Sequence, residues 1–306
     1  KRKFLRLIES GREKNRLELT GFNGNVDACL GVDSAPEFAW NLHPSWIRSM
    51  FQTIASVRRL FPAAGVTMSG RLLRILNRRQ KTVVRVEWNE WSQVWIWENG
   101  REKAIRFPHD FLIVSAVRGY DKDFREVTGF LKNRLEPLPD DWNELEVLLG
   151  AAGKKPADFS SKPDLRLDPK LSGFDATKAI LGLMLSTMKA TEEGTRRNLD
   201  SEFLHDFRVA VRRTRSILGQ IKGVFTPLQI ESFKREFSWL GKVTGPTRDL
   251  DVYLLKFNTY RARLPESIGE DLDPLLDFLK ARHQIEHAAL AKTLRGSRYR
   301  RLIRNW

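Results

Sequence analysis

Residues 202–218 read Glu-Phe-Leu-His-Asp-Phe-Arg-Val-Ala-Val-Arg-Arg-Thr-Arg-Ser-Ile-Leu, and His205, Arg208, Arg212 and Arg215 recur there at steps of three, four and three. At about 100° per residue these four groups fall within an arc of roughly 80° on a helix. Leu204, Phe207, Ala210, Val211, Ile217 and Leu218 take the opposite side, and Val209 and Arg213 lie on a flank. One face is therefore core and the other a ladder of cations. Like charges at these spacings repel by a few tenths of a kcal/mol per pair in an isolated helix. Asp206, the one acid close by, points off the stripe. A solvated helical face accounts for such a pattern in many proteins. The predominance of Arg over Lys favours another reading, because the guanidinium fork matches paired phosphate oxygens. His205 continues the stripe and would gain a proton beside phosphate, although an isolated histidine also serves as a structural hydrogen-bonding group.

A second locus follows two helices later, in Leu240-Gly241-Lys242-Val243-Thr244-Gly245-Pro246-Thr247-Arg248-Asp249-Leu250-Asp251-Val252. Arg248 falls in the first turn of its helix, where free N–H groups and the dipole already favour an anion. Asp249 and Asp251 either complement that dipole as simple caps or orient arginines of the basic helix.

His205-x-x-Arg208-Val209-x-x-Arg212-Arg213-x-Arg215-Ser216, then Trp239-Leu240, then Gly245-x-x-Arg248-Asp249-Leu250-Asp251-Val252, closely resembles the CHAD domain. Leu294-Arg295-Gly296-Ser297-Arg298-Tyr299-Arg300-Arg301-Leu302 is similar to the middle of that domain. The resemblance implies an all-helical fold of two similar bundles around a basic surface or tunnel that binds inorganic polyphosphate. It implies phosphate contacts from His205, Arg208, Arg212, Arg213, Arg215 and Arg248. Two departures stand out. The family's second histidine–arginine helix has no counterpart before Trp306, since no Arg ladder follows His283 or His287. Ser238 occupies a position that is often basic in the family. The resemblance thus covers residues 173–306, about half of a CHAD domain, and pairing of two copies to complete a groove is compatible with it.

The elements that must carry these residues are legible in outline. Helices are expected near Asp175–Arg197, Ser201–Lys222, Pro227–Val243, Pro246–Leu264, Ile268–Leu294 and Ser297–Trp306. Residues 151–172, rich in Pro, Ser, Lys and Asp without periodicity, read as a linker. Residues 1–150 read differently. Alternation in Arg16–Thr20 and Lys81–Glu87 has the period of two that strands show. Further strands are expected at Arg71–Leu76, Ser92–Trp97, Lys103–Phe107 and Phe111–Val117, with an Asn99-Gly100 hairpin turn. Helices are expected at Pro44–Leu60, Lys122–Leu135 and Asp141–Leu149. The expected fold is an α+β domain with a curled antiparallel sheet, forming a partial tunnel-like barrel, followed by an all-α helical bundle.

Lys81-x-x-x-Arg85-x-Glu87 and Val117-Arg118-Gly119-Tyr120-Asp121-Lys122 look like the later part of a CYTH domain, a triphosphate tunnel fold that often precedes CHAD. That resemblance implies tunnel-like phosphate contacts from Arg85, Arg118 and Lys122. For Arg85 and Glu87 a cross-strand ion pair is the plainer reading. Active members carry Glu-x-Glu-x-Lys on a first strand, to hold a divalent metal and grip phosphate. Glu18 stands alone in its strand and Glu144-Leu145-Glu146 lies in an expected helix, so the metal cradle is missing. The domain reads as truncated or degenerate, and no catalytic residue, metal ligand set or cofactor site is expected.

Composition bounds the remainder. The 306 residues hold 53 Lys and Arg against 38 acids, for a net charge of +15. Residues 1–172 carry 29 basic and 22 acidic residues and residues 173–306 carry 24 and 16, so the charge belongs to folded surfaces rather than a tail. Hydrophobic content of 41% excludes a disordered chain. The longest apolar run, Ala179–Met188, is half of what spans a bilayer, so no membrane partner is expected. The single cysteine, Cys29, excludes a disulfide framework and agrees with a reducing compartment. The opening Lys-Arg-Lys-Phe, without an initiator Met, reads as a fragment or processed chain whose targeting segment is lost. The nine Trp, four of them at 88, 91, 95 and 97, read as core and hairpin face rather than as base-stacking groups. The leading expectation is a polyphosphate-binding protein of the cytoplasm, associated by resemblance with polyphosphate granules. A metal-dependent inorganic triphosphatase with a CHAD accessory domain, and a nucleic-acid-binding protein, are the alternatives.

Overall fold

The computed structural model describes residues 3–9, 15–21, 26–43, 45–55, 57–98, 101–105, 110–138, 144–151, 165–265 and 270–306. The Asn99-Gly100 turn, Ile268 and most of the expected linker (152–164) lie outside the described residues. The chain divides into two compact units, Lys1–Pro36 with Phe61–Asp158, and Glu37–Leu60 with Phe159–Trp306.

The first unit is built of antiparallel strands. β1 (Lys3–Ile8), β2 (Arg16–Gly21) and β3 (Val26–Gly31) form one sheet in that order. β4 (Ala64–Leu76), β5 (Thr82–Glu98), β6 (Arg101–Ile105) and β7 (Phe111–Ala116) form another. β5 is its organising strand. It pairs with β4 along one edge, while β7 (opposite 84–89) and β6 (opposite 94–98) share the other. Two strands expected at Lys81–Glu87 and Ser92–Trp97 are therefore one. Nothing in Trp88-Asn89-Glu90-Trp91 forces a turn, and the ladder absorbs its irregularity as a bulge opposite Thr67 and Met68.

Helices cover this second sheet. α2 (Asp121–Lys132) packs Phe124 and Val127 on Val83, Val84 and Val86, whereas Leu148 of α3 (Glu144–Ala151) joins Val94 and Phe111. At Gly65 a Cβ would stand 2.2 Å from the Trp95 ring, so glycine is what lets the indole lie across β4. Among the described residues the strands close no barrel.

The second unit is helical: α4 (Gly173–Arg197), α5 (Ser201–Gln220), α6 (Pro227–Val243), α7 (Gly245–Arg261), a 3-10 turn at Glu270–Leu272, α8 (Asp273–Leu294) and α9 (Ser297–Asn305). Its core gathers Met184 and Met188 of α4, Leu204, Phe207, Ala210, Val211 and Leu218 of α5, Phe237 and Leu240 of α6, Leu290 and Leu294 of α8, and Tyr299 and Leu302 of α9. Burial of these α5 residues is what the sequence periodicity requires. Gly194 sets the closeness of α4 and α5, since a Cβ there would stand 2.2 Å from the Phe203 ring.

One segment of the N-terminal half joins the helices. Glu37–Leu60, which sequence placed within the 1–150 domain, makes its contacts in the helical unit. Its ends meet in a Phe38–Arg59 bridge and in the Leu60 N–H to Glu37 O bond of 2.7 Å. Between them, Leu42 and Ile47 and Phe51 of α1 (Ser45–Ala55) are buried. The Arg59 N–H donates to Asp200 Oδ2 at 2.8 Å, and Arg58 Nη2 pairs with Asp206 Oδ2 at 2.7 Å. This strap holds the start of α5 by backbone and charge.

Candidate anion-binding site

α5 begins where Asp200 caps it, its Oδ1 accepting from the N–H groups of Glu202 and Phe203 at 2.9 and 3.1 Å. Such a cap satisfies donors that the first turn leaves unpaired. Asp206, the acid that sequence set apart from the stripe, is buried and neutralised by Arg58. The cationic face is consequently free of local acid from its own helix beyond Glu202.

The first rungs of the ladder are fixed. Arg208 Nη1 donates to Gly241 O at 2.9 Å and to the buried Thr244 hydroxyl at 2.7 Å. Thr244 in turn donates to Leu240 O at 2.9 Å. Burial lowers the Arg208 pKa from its ordinary value, the nearby Asp249 carboxylate opposes this, and Arg248 and Arg212 add to the lowering. The guanidinium is thus half-buried between one acid and two further arginines.

Arg248, fourth residue of α7, donates from Nη1 to Ser201 O at 3.0 Å and from Nη2 to His205 Nδ1 at 3.1 Å. Arginine has no acceptor, so His205 Nδ1 accepts, and the ring proton sits on Nε2. The two expected loci therefore meet: the arginine of the second motif orients the histidine of the first.

Asp249 and Asp251 separate in role. α7 starts at Gly245, one residue earlier than expected, and neither acid lies in its first turn, so neither caps it. Asp249 is exposed and acts on Arg208. Asp251 is buried, with Oδ1 accepting from His283 Nε2 at 2.7 Å and Oδ2 3.9 Å from Arg248 Nη1. His287, whose ring stacks with that of His283, donates from Nε2 to Thr195 O at 2.8 Å. Both α8 histidines are thus structural, and His283 supports the acid that faces Arg248.

The later rungs are free. Arg212, Arg213 and Arg215 are exposed, and none has an ion-pair or hydrogen-bond partner among the described residues. Opposite them α6 presents a small residue: a Cβ at Gly241 would stand 3.2 Å from Arg215 Nη1. At Gly245 a Cβ would stand 3.7 Å from Arg208 Nη1. Glycine at both positions, one in α6 and one at the start of α7, leaves room beside α5 for the guanidinium groups.

Glu202, His205 and Asp206 bring one ligand atom each within 4.8 Å of one another. Arg248 already lies against Glu202 (3.8 Å) and His205, and Arg58 against Asp206, so arginines occupy the positions a cation would take.

In the first unit, Arg85 is exposed on β5 opposite Arg74 of β4 and Ser115 of β7. Arg118 is exposed in the turn before α2, and Lys122 is exposed in that helix's first turn. No hydrogen bond joins the three, and no cross-strand ion pair forms at Arg85 or Glu87 among the described residues, since Arg85 faces Arg74 and Ser115, and Glu87 faces Leu72 and Ile113.

Sequence reasoning missed Arg58, Asp200, Thr244, and the His283–Asp251 support. Only Asp200, an N-cap residue just before an amphipathic run, left a local signal. No helix among the described residues is long and apolar enough to cross a membrane. No curated protein matches the chain. The crystal structure of the CHAD domain from the plant Ricinus communis is similar, with 30% identity over 48% of this chain and 48% of that one, at a TM-score of 0.41. The chain thus spans about half the length of that protein. The helices that carry the ladder, from Ala179 to Trp306, match the model of the CHAD domain.

Proposed function

We propose that the helical unit binds inorganic polyphosphate along the α5 stripe. The observation that carries this reading is the division of the basic groups: Arg208, Arg248 and His205 are held by backbone and neighbours, while Arg212 and Arg215 of the ladder, with Arg213 on its flank, are exposed without an acid. Fixed cations raise the local potential, and free ones supply forks for charge-assisted hydrogen bonds. A linear polyanion with a charge on every unit suits such a row.

The open antiparallel strands of the first unit, with scattered cations and no closed barrel among the described residues, give the triphosphatase reading no support. Nucleic acid is disfavoured because the stripe interleaves no aromatic side chain for base stacking. The physiological setting we propose is the cytoplasm, at polyphosphate granules.

The test is a titration of the whole chain with polyphosphate at several salt concentrations, with duplex DNA as competitor. Tight binding that weakens steeply with salt and resists DNA at equal phosphate concentration is expected. Displacement by DNA at equal phosphate would overturn the reading in favour of nucleic acid, and absence of binding would overturn it outright.

A further inference from the structure

α5 ends at Gln220, the chain turns at Gly223 (φ +78), and α6 starts at Pro227. This corner encloses a shallow depression lined by Lys222, Phe225, Ile230, Glu231 and Lys234. The residue on α5 four beyond Arg215 is Gly219, and Lys234 Nζ of α6 lies 3.9 Å from where a Cβ on Gly219 would stand. Where the ladder's own helix offers no side chain, a lysine of the neighbouring helix fills the rung.

Neither Lys222 nor Lys234 has an ion-pair partner among the described residues. Lys222, just beyond the last turn of α5, also complements the negative end of that helix. That accounts for one lysine and leaves Lys234, which lines the same depression, unexplained. Glu231 is the single acid of the lining, so the depression keeps a net positive charge. Its apolar wall is buttressed, because Phe225 meets Phe174 of α4 edge to face at 6.0 Å.

Resting on the polyphosphate reading, we propose that this depression is the end of the track: Lys222 and Lys234 take the terminal phosphate of the chain. A terminal phosphate carries up to two charges near neutrality and an internal one carries a single charge, so a pair of lysines discriminates in favour of the end. The wall of Phe225 and Ile230 offers no polar continuation for further phosphates.

The experiment compares the wild-type chain, K222A/K234A and R212A/R215A, each titrated with polyphosphate of one defined length. The polymer is used with free ends and with both terminal phosphates esterified. Esterification is expected to weaken wild-type binding about fivefold and to leave K222A/K234A unchanged. K222A/K234A is also expected to reduce the slope of log affinity against log salt by roughly 1.4, for two lost contacts. Wild-type affinity and salt slope in K222A/K234A, with binding still lost in R212A/R215A, would overturn the end site and leave the stripe standing. Weaker binding by K222A/K234A with no effect of esterification would assign the lysines to internal phosphates and overturn the terminal assignment. No binding by the wild type would remove both readings.

Discussion

The two units each carry several arginines and lysines, yet they use them in opposite ways. In the sheet unit Arg85, Arg118 and Lys122 stand apart, each exposed, and Arg85 faces another arginine across the strand. In the helical unit the same residue types share one stripe, and each anchored member is held by a named acceptor: Gly241 O and Thr244 for Arg208, Ser201 O for Arg248. A row of basic residues becomes a site when some members are given fixed positions by their neighbours, as Arg208 and Arg248 are, and others on the same helix, Arg212 and Arg215, are left without an acid. Net charge, which is similar in the two halves of the sequence, does not distinguish them.

The sharpest way to break that contrast is to remove the free rungs. R212A/R215A is expected to weaken polyphosphate binding about a hundredfold, from two lost contacts of about 1.5 kcal/mol each. R85A/K122A is expected to change it less than about twofold. Equal losses in the two variants, measured by calorimetric titration, would mean that bulk charge rather than position is responsible.

The next test addresses the hold on the helix. R58A leaves the Asp206 carboxylate buried without its cation, which is expected to destabilise the helical unit by about 1–2 kcal/mol. This is below the cost of breaking a fully buried pair, because Arg58 is about a third exposed. D206N in the same background is expected to recover most of that loss. Hydrogen exchange should locate the effect in α4 and α5 and leave β4 and β5 unchanged; a uniform effect on both units would break the contrast.

The smallest effect concerns Tyr299, whose hydroxyl donates to Glu192 Oε2 at 2.9 Å. Burial, together with the charge of Glu192 and that hydrogen bond, raises the phenol well above its usual pKa. The folded state therefore keeps the proton at a pH where the unfolded chain has lost it. Stability from this group is present below about pH 10, the unfolded value, and is lost as pH rises above it. Y299F is expected to cost about 1 kcal/mol at pH 7 and to flatten the alkaline fall in denaturant midpoint. An unchanged alkaline limb would show that other groups govern it.

What sequence revealed followed from local physics. The expected Pro227–Val243 coincides with α6, which Thr226 caps in a reciprocal bond with Gln229 and Pro227 opens at its first position. The buried face of α5 followed from a period of 3.6, which needs no knowledge of the rest of the chain. β5 reads as two strands in the sequence because alternation locates a strand and says little about where it stops. Arg58 for Asp206, His283 for Asp251 and Gly241 for Arg208 are hidden for a simpler reason: they lie 148, 32 and 33 residues away. No spacing rule reaches that far. Gly241 and Gly245 were equally opaque, since a glycine that makes room looks in sequence like one that makes a turn.

The strap carries a consequence for biosynthesis. Arg58 precedes its partner Asp206 by 148 residues, and most of the sheet unit is encoded between them. At synthesis rates of about 5–20 residues per second, Asp206 is made roughly 7–30 s after Arg58. The strands of the interval 61–158 have that time to pair, while the strap waits for the helix it will hold.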